Sequence, residues 1–134
     1  MSEHDPDNAH KPLVLLVDDE PGLLQLFAGL IGRLPCTVIT ALGGAEAIEI
    51  LDQQTPDLLI LDLAMPVVSG FDVLRHARDS ARLSAMTVMI LTARPNMVPE
   101  VEALGIDFWV SKPIMPHDFL EIVGDVLNEK RGGY

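Results

Sequence analysis

The chain has 134 residues, a formal net charge of −11 and a single cysteine, Cys36. That length suits one domain with a buried core, and the acidity argues against nonspecific nucleic-acid binding and against anionic membrane surfaces. One thiol excludes an intrachain disulfide, no apolar run nears the ~20 residues of a membrane span, and the N-terminus lacks an apolar signal core, so a soluble cytoplasmic domain with a buried Cys36 is expected.

Residues 1–11 are polar, include His4, His10 and Pro6, and read as a disordered lead with solvated histidines. Leu13–Val17 is a continuous apolar run of the kind that forms a strand covered on both faces, and it ends in Asp18, Asp19 and Glu20. Pro21 opens a helix, where its missing N–H costs nothing. Leu23, Phe27, Leu30, Ile31 and Leu34 fall on one helical face, and Pro35 is expected to stop the helix. Thr37–Ala41 is a β-branched strand, followed by a turn at Gly43 and Gly44. Ala45, Ile48 and Leu51 mark the inner face of a second helix that ends before Thr55 and Pro56.

Leu58–Leu61 is a third buried strand and runs straight into Asp62. Met65 and Pro66 stop it, and Ser69 is placed to cap a helix over residues 69–79. Met86–Leu91 is the fourth strand, followed by Thr92, Ala93 and Arg94. Pro95 and Pro99 bracket the next segment, so a fourth helix starts near Pro99 and hardly passes Leu104 and Gly105. Phe108–Val110 is the fifth strand, followed by Ser111, Lys112 and Pro113. Pro116 opens a last helix with Phe119, Ile122, Val123 and Val126 facing inward, frayed at Gly132 and Gly133. Strands alternating with helices across short loops predict an α/β fold, a three-layer α/β/α sandwich around a five-stranded parallel sheet. One domain spans residues 12–131, with a tail at 132–134.

In such a sheet the C-terminal strand ends lie along one edge. Asp18, Asp19, Asp62, Thr92 and Lys112 therefore converge there although they are distant in sequence. Carboxylates brought together repel unless a cation sits between them, and hard oxygen donors favour Mg²⁺. A lysine and a threonine hydroxyl facing the same place suit the oxygens of a phosphoryl group. Asp62 is the candidate nucleophile.

With these motifs in place, the chain resembles the receiver domain of two-component response regulators over about residues 13–130. The resemblance rests on Val17-Asp18-Asp19-Glu20, on Asp62-Leu63-Ala64-Met65-Pro66 with Ser69-Gly70, on Leu91-Thr92-Ala93, and on Ser111-Lys112-Pro113. It implies a flavodoxin-like (βα)5 topology and a role for Asp62 as phosphoacceptor toward a histidine kinase or a histidine phosphotransfer protein. It also implies Mg²⁺ held by Asp19 directly, by Asp18 mainly through water, by Asp62 and by the carbonyl of Ala64. Lys112 would bind a phosphoryl oxygen, Thr92 would turn inward to the phosphoryl group, and Trp109 would follow that turn. The Lys112–Pro113 bond is expected to be cis. Partners would dock on the face formed by the fourth helix, fifth strand and fifth helix, either as a downstream protein, an output domain or a second copy.

Two departures from the common pattern stand beside the pocket. Ala64 follows the acceptor by two residues, where many receivers carry a larger or polar side chain, and Arg94 follows Thr92 by two. Together they are expected to set the phosphoryl lifetime. His76, His117 and the methionines are read as solvated or packing residues.

Three other readings use the same residues. A haloacid-dehalogenase-type phosphatase needs a second acid two residues after its nucleophile, and Ala64 cannot serve. A flavodoxin-like nucleotide or flavin binder needs hydroxyls and N–H groups where Asp18, Asp19 and Glu20 stand. A degenerate receiver working as a docking module would not need the pocket residues, all of which are present. The expected activity is self-catalysed phosphotransfer with slow hydrolysis, not enzymatic turnover.

Overall fold

The computed structural model describes residues 11–130, so the lead and tail assigned to 1–11 and 132–134, with His4 and His10, lie outside the described residues except for Lys11. Five strands, β1 (Leu13–Asp18), β2 (Thr37–Leu42), β3 (Leu58–Leu61), β4 (Thr87–Thr92) and β5 (Phe108–Ser111), form one parallel sheet in the order β2-β1-β3-β4-β5. The helices are α1 (Pro21–Ile31), α2 (Gly44–Gln53), α3 (Gly70–Arg78), α4 (Val98–Glu102) and α5 (Pro116–Lys130), with short 3-10 turns at Ala81–Leu83 and Pro95–Met97.

Alternation along the strands divides the core into two layers. Val14, Leu16, Leu58, Ile60, Met89 and Leu91 pack against α1 and α5, whose Phe27 and Phe119 rings meet at 4.6 Å between centroids. Leu15, Val17, Leu59, Leu61, Val88 and Ile90 pack against the inner faces of α2, α3 and α4. β1 and β3, fully buried on both faces, are the continuous apolar runs of the sequence. The chain steps outward from β1 to β2, then returns past β1 to β3. With one crossover hand, that reversal puts α1 on one face and α2–α4 on the other. It also opens a crevice at the C-terminal ends of β1 and β3.

The helix ends follow local chemistry. Ser69 caps α3 in a reciprocal box: its Oγ accepts the Asp72 N–H at 3.2 Å, and Asp72 Oδ2 accepts the Ser69 N–H at 3.0 Å. At the last residue of α3, Arg78 donates twice to the carbonyl of Gly105, at 3.0 and 2.7 Å. Arg82 donates to Leu51 O, to Gln54 O at 2.8 Å and to Thr55 Oγ1 at 2.6 Å, covering the carbonyl end of α2.

Three expectations shift. Helix α1 ends at Ile31 with Gly32 as its cap, not at Pro35, so Leu34 lies outside it. Its deepest residues are Leu24, Phe27 and Ile31, with Leu23 only half-buried. An apolar residue stands at nearly every phase of this leucine-rich helix, so spacing alone does not set the rotation. In α2 the inner face is Gly44, Ala47 and Leu51, while Ala45 is exposed. Gly44 presses on Val68, whose carbonyl oxygen would lie 2.3 Å from an added Cβ, and this approach fixes the turn of the helix. In α5 the fully buried residues are Phe119, Val123 and Leu127, with Ile122 and Val126 half-buried along one flank. Cys36 is buried, as expected, and burial pushes its thiol pKa up.

Candidate functional site

The acidic residues come together as the topology requires. Asp18 closes β1, Asp62 follows β3, and one oxygen from each of Asp18, Asp19 and Asp62 lies within 4.8 Å of the others. Asp18 and Asp62 are buried, whereas Asp19 is exposed. Sheet parity adds Lys112. Even-numbered residues of β1, β3 and β5 face α1 and α5, so Asp18, Asp62 and Lys112 continue the same side. The Lys112 ammonium sits 2.8 Å from Asp18 Oδ2 and 3.8 Å from Asp62 Oδ2. Its stronger bond is thus to Asp18, not to the candidate nucleophile.

Backbone groups complete the pocket. The Glu20 N–H donates to Asp18 Oδ1 at 3.0 Å, turning the chain out of β1 into α1. The Ala64 N–H donates to Asp62 Oδ1 at 3.3 Å, and the Ala64 side chain is exposed. Burial raises the Asp62 pKa above the usual carboxylate range, opposed by Lys112 and the Ala64 amide and reinforced by Asp18 and Asp19. Lys112 does not offset the effect of burial on Asp62.

The Thr92 carbonyl accepts the Lys112 N–H at 2.7 Å, but its side chain turns to the other face of the sheet. Even-numbered residues of β4 face α2–α4, so Thr92 shares the side of Val88 and Ile90. Its side chain is fully buried, and its hydroxyl accepts the Arg94 N–H at 2.9 Å. The Arg94 side chain is exposed. Trp109 is also exposed, at 42%. The Lys112–Pro113 peptide bond is cis.

The pattern of the response regulator receiver domain matches residues 14–124. The chain belongs to that family. This receiver is 40% identical over 81% of its length to the transcriptional regulatory protein KdpE of Mycobacterium tuberculosis, spanning 47% of that protein. Its fold superposes on the chemotaxis response regulator CheY4 of Vibrio cholerae with a TM-score of 0.80 and 28% identity, covering 87% of this chain and 98% of that one. It also superposes on the receiver domain of the sensor histidine kinase PA1611 of Pseudomonas aeruginosa, which has a magnesium ion coordinated in its active-site cleft. That match has a TM-score of 0.77 and 21% identity over 91% of this chain and 98% of that one. The receiver spans about half the length, or less, of the curated relatives it matches. No helix among the described residues is long and apolar enough to cross a membrane.

Two features of this receiver escaped the sequence. Val67 has a φ of +66° and is 98% exposed, a left-handed conformation that a β-branched side chain rarely takes. Nothing in the local pattern marks it; the next residue, Val68, lies against Gly44. His76, read as solvated, keeps a solvent-facing ring and also bonds Asp52 across α3 and α2 at 2.7 Å. Only the packing of those two helices reveals the pair.

Proposed function

We propose that this receiver is the phosphoacceptor of a two-component phosphorelay, with Asp62 as the acceptor. The observation that carries the reading is the charge imbalance at the strand ends. Three carboxylates converge, and among the described residues Lys112 is the cation bonded to them. The family alone would not require that arrangement to be intact, since a docking module could lose it.

The donor set fits Mg²⁺: it is all oxygen, carries excess negative charge, and includes a buried carboxylate that ionises reluctantly. Asp19, Asp18, Asp62 and the Ala64 carbonyl would hold the ion, which when bound supplies charge neutralisation for the carboxylates and the incoming phosphoryl oxygens. Asp62 then attacks the phosphorus of a phosphohistidine on a histidine kinase or phosphotransfer protein. A new O–P bond forms, and the P–N bond breaks with its electron pair returning to the imidazole. Lys112 lies within reach of a phosphoryl oxygen on Asp62 and would move part of its charge there from Asp18.

Thr92 accepts the Arg94 N–H and has its own O–H to donate, so a bond to the phosphoryl group would tie that group to the Arg94 backbone. Phosphorylation is therefore coupled to the segment that leads into α4, and the exposed Trp109 has room to follow. The α4–β5–α5 face is the output surface for a downstream protein or domain. Ala64 offers the attacking water no side-chain assistance and Arg94 flanks its approach, so this pair sets the phosphoryl lifetime. The functional unit runs over residues 12–131, in the cytoplasm.

The test is incubation with acetyl phosphate and Mg²⁺, read by intact mass. A gain of about 80 Da, one phosphoryl group in place of hydrogen, is expected. It should need Mg²⁺ and vanish in Asp62→Asn. A folded wild-type chain that gains no mass would favour the phosphorylation-independent docking module.

A further inference from the structure

The sheet has two edges, β2 and β5, and β2 is the longer. Its sequence, Thr-Val-Ile-Thr-Ala-Leu, contains no charge and no proline, and Thr37, Thr40 and Leu42 are exposed. Monomeric proteins usually blunt such edges with lysine, proline or a bulge. The ladder shows which groups are left over. Thr37 N–H donates to Pro12 O and Gly43 N–H to Asp18 O, so odd-numbered residues face β1 while Val38, Thr40 and Leu42 turn their N–H and C=O outward. Glu46 Oε2 takes the Leu42 N–H at 2.8 Å and closes that end. No group among the described residues bonds the outward N–H or C=O of Val38 or Thr40.

We propose that this edge pairs with the same edge of a second copy, antiparallel about a two-fold axis through Ile39. In that register Val38 of one copy and Thr40 of the other exchange both backbone hydrogen bonds, and the symmetric pair does the same. The outward groups of both residues are satisfied without moving the ladder inside either copy. The charges flanking the strand select a second copy as the occupant. Lys11 and Arg33 are exposed near the start of β2, whereas Glu46 and Glu49 are exposed on α2 just after it. Antiparallel pairing sets the basic end of one edge against the acidic end of the other, twice, as a self-complementary two-fold interface requires. A groove of about 320 Å³ between α1 and β2, lined by Leu24, Ala28, Thr40 and Leu42, has room for the partner's Val38 side chain, which stands opposite Thr40. The acidic pockets lie at the C-terminal strand ends, so they open on opposite sides of the pair and stay free. Association is therefore independent of phosphorylation.

Sedimentation velocity of the full chain over a wide concentration range, without Mg²⁺ or a phosphodonor, tests this. The sedimentation coefficient should rise from monomer to dimer with concentration, and added salt should weaken the association. Thr40→Lys should remain monomeric with an unchanged circular dichroism spectrum. Arg33→Glu, which leaves the strand intact, should weaken the dimer several-fold. A wild-type chain that is monomeric throughout, a dimer that survives in both variants, or one that forms only after phosphorylation would each overturn the proposal.

Discussion

Both ends of the sheet carry aspartates, and the two sets live in opposite conditions. At the N-terminal end, Asp57 Oδ2 accepts the Leu13 N–H at 2.8 Å and Asp107 Oδ2 accepts the Val88 N–H at 2.7 Å. Each carboxylate closes the start of a neighbouring strand, and its charge is met by a backbone dipole. At the C-terminal end, Asp18, Asp19 and Asp62 face one another around Lys112. The same side chain thus fastens the sheet at one end and concentrates unbalanced charge at the other. Which end of the strand a carboxylate occupies, and the partner it meets there, separates the strand-closing aspartates from the candidate nucleophile.

Substitutions can break this contrast one end at a time. Asp62→Asn should abolish phosphorylation completely while raising unfolding free energy in Mg²⁺-free buffer at pH 7 by about 1 kcal/mol, because a buried charge facing like charges is removed. Equilibrium urea unfolding checks the second half. Lys112→Ala should instead lower the unfolding free energy, by about 3 kcal/mol, because it strands two buried carboxylates. At the other end, Asp57→Ala should cost about 1–2 kcal/mol through the unpaired Leu13 N–H, with Mg²⁺-dependent phosphorylation unchanged.

A pH series sharpens the same point. Folding raises the Asp62 pKa, so the folded chain holds that proton more tightly than the unfolded chain. The group's stabilising contribution is full below the ordinary carboxylate range and fades as pH climbs through the raised value. Metal-free wild type should therefore lose stability relative to Asp62→Asn as pH rises from acid toward neutral, and Mg²⁺ should narrow the gap at neutral pH. The smallest effect belongs to the rim of the pocket. Ala64→Asn and Arg94→Ala should each change the aspartyl-phosphate decay rate by a few-fold, followed by loss of the mass adduct. Equal decay in all three proteins would remove both residues from the account.

The strands were legible because each is a short apolar run closed by a polar or proline-bearing turn. Their ends brought Asp18, Asp62 and Lys112 to one place before any coordinates were needed. The rotation of α1 was not legible, since Leu23, Leu24, Leu26 and Leu30 offer several apolar faces and only packing against the sheet and α5 chooses among them. Pairings between distant helices, such as His76 with Asp52 or Arg82 with the end of α2, depend on tertiary distance and leave no periodic trace. Within the pocket, the pairing of β4 with β5 brings Thr92 beside Lys112, yet sheet parity puts their side chains on opposite faces. That separation is visible only once the register is known.

The most direct test is to map the phosphoryl group. After treatment with acetyl phosphate and Mg²⁺, tandem mass spectrometry of the proteolysed chain should find the label on Asp62, with none on Asp57 or Asp107. A label on either strand-capping aspartate, or an unlabelled Asp62 in a folded, Mg²⁺-treated protein, would contradict the division of the sheet into a fastened end and a reactive end.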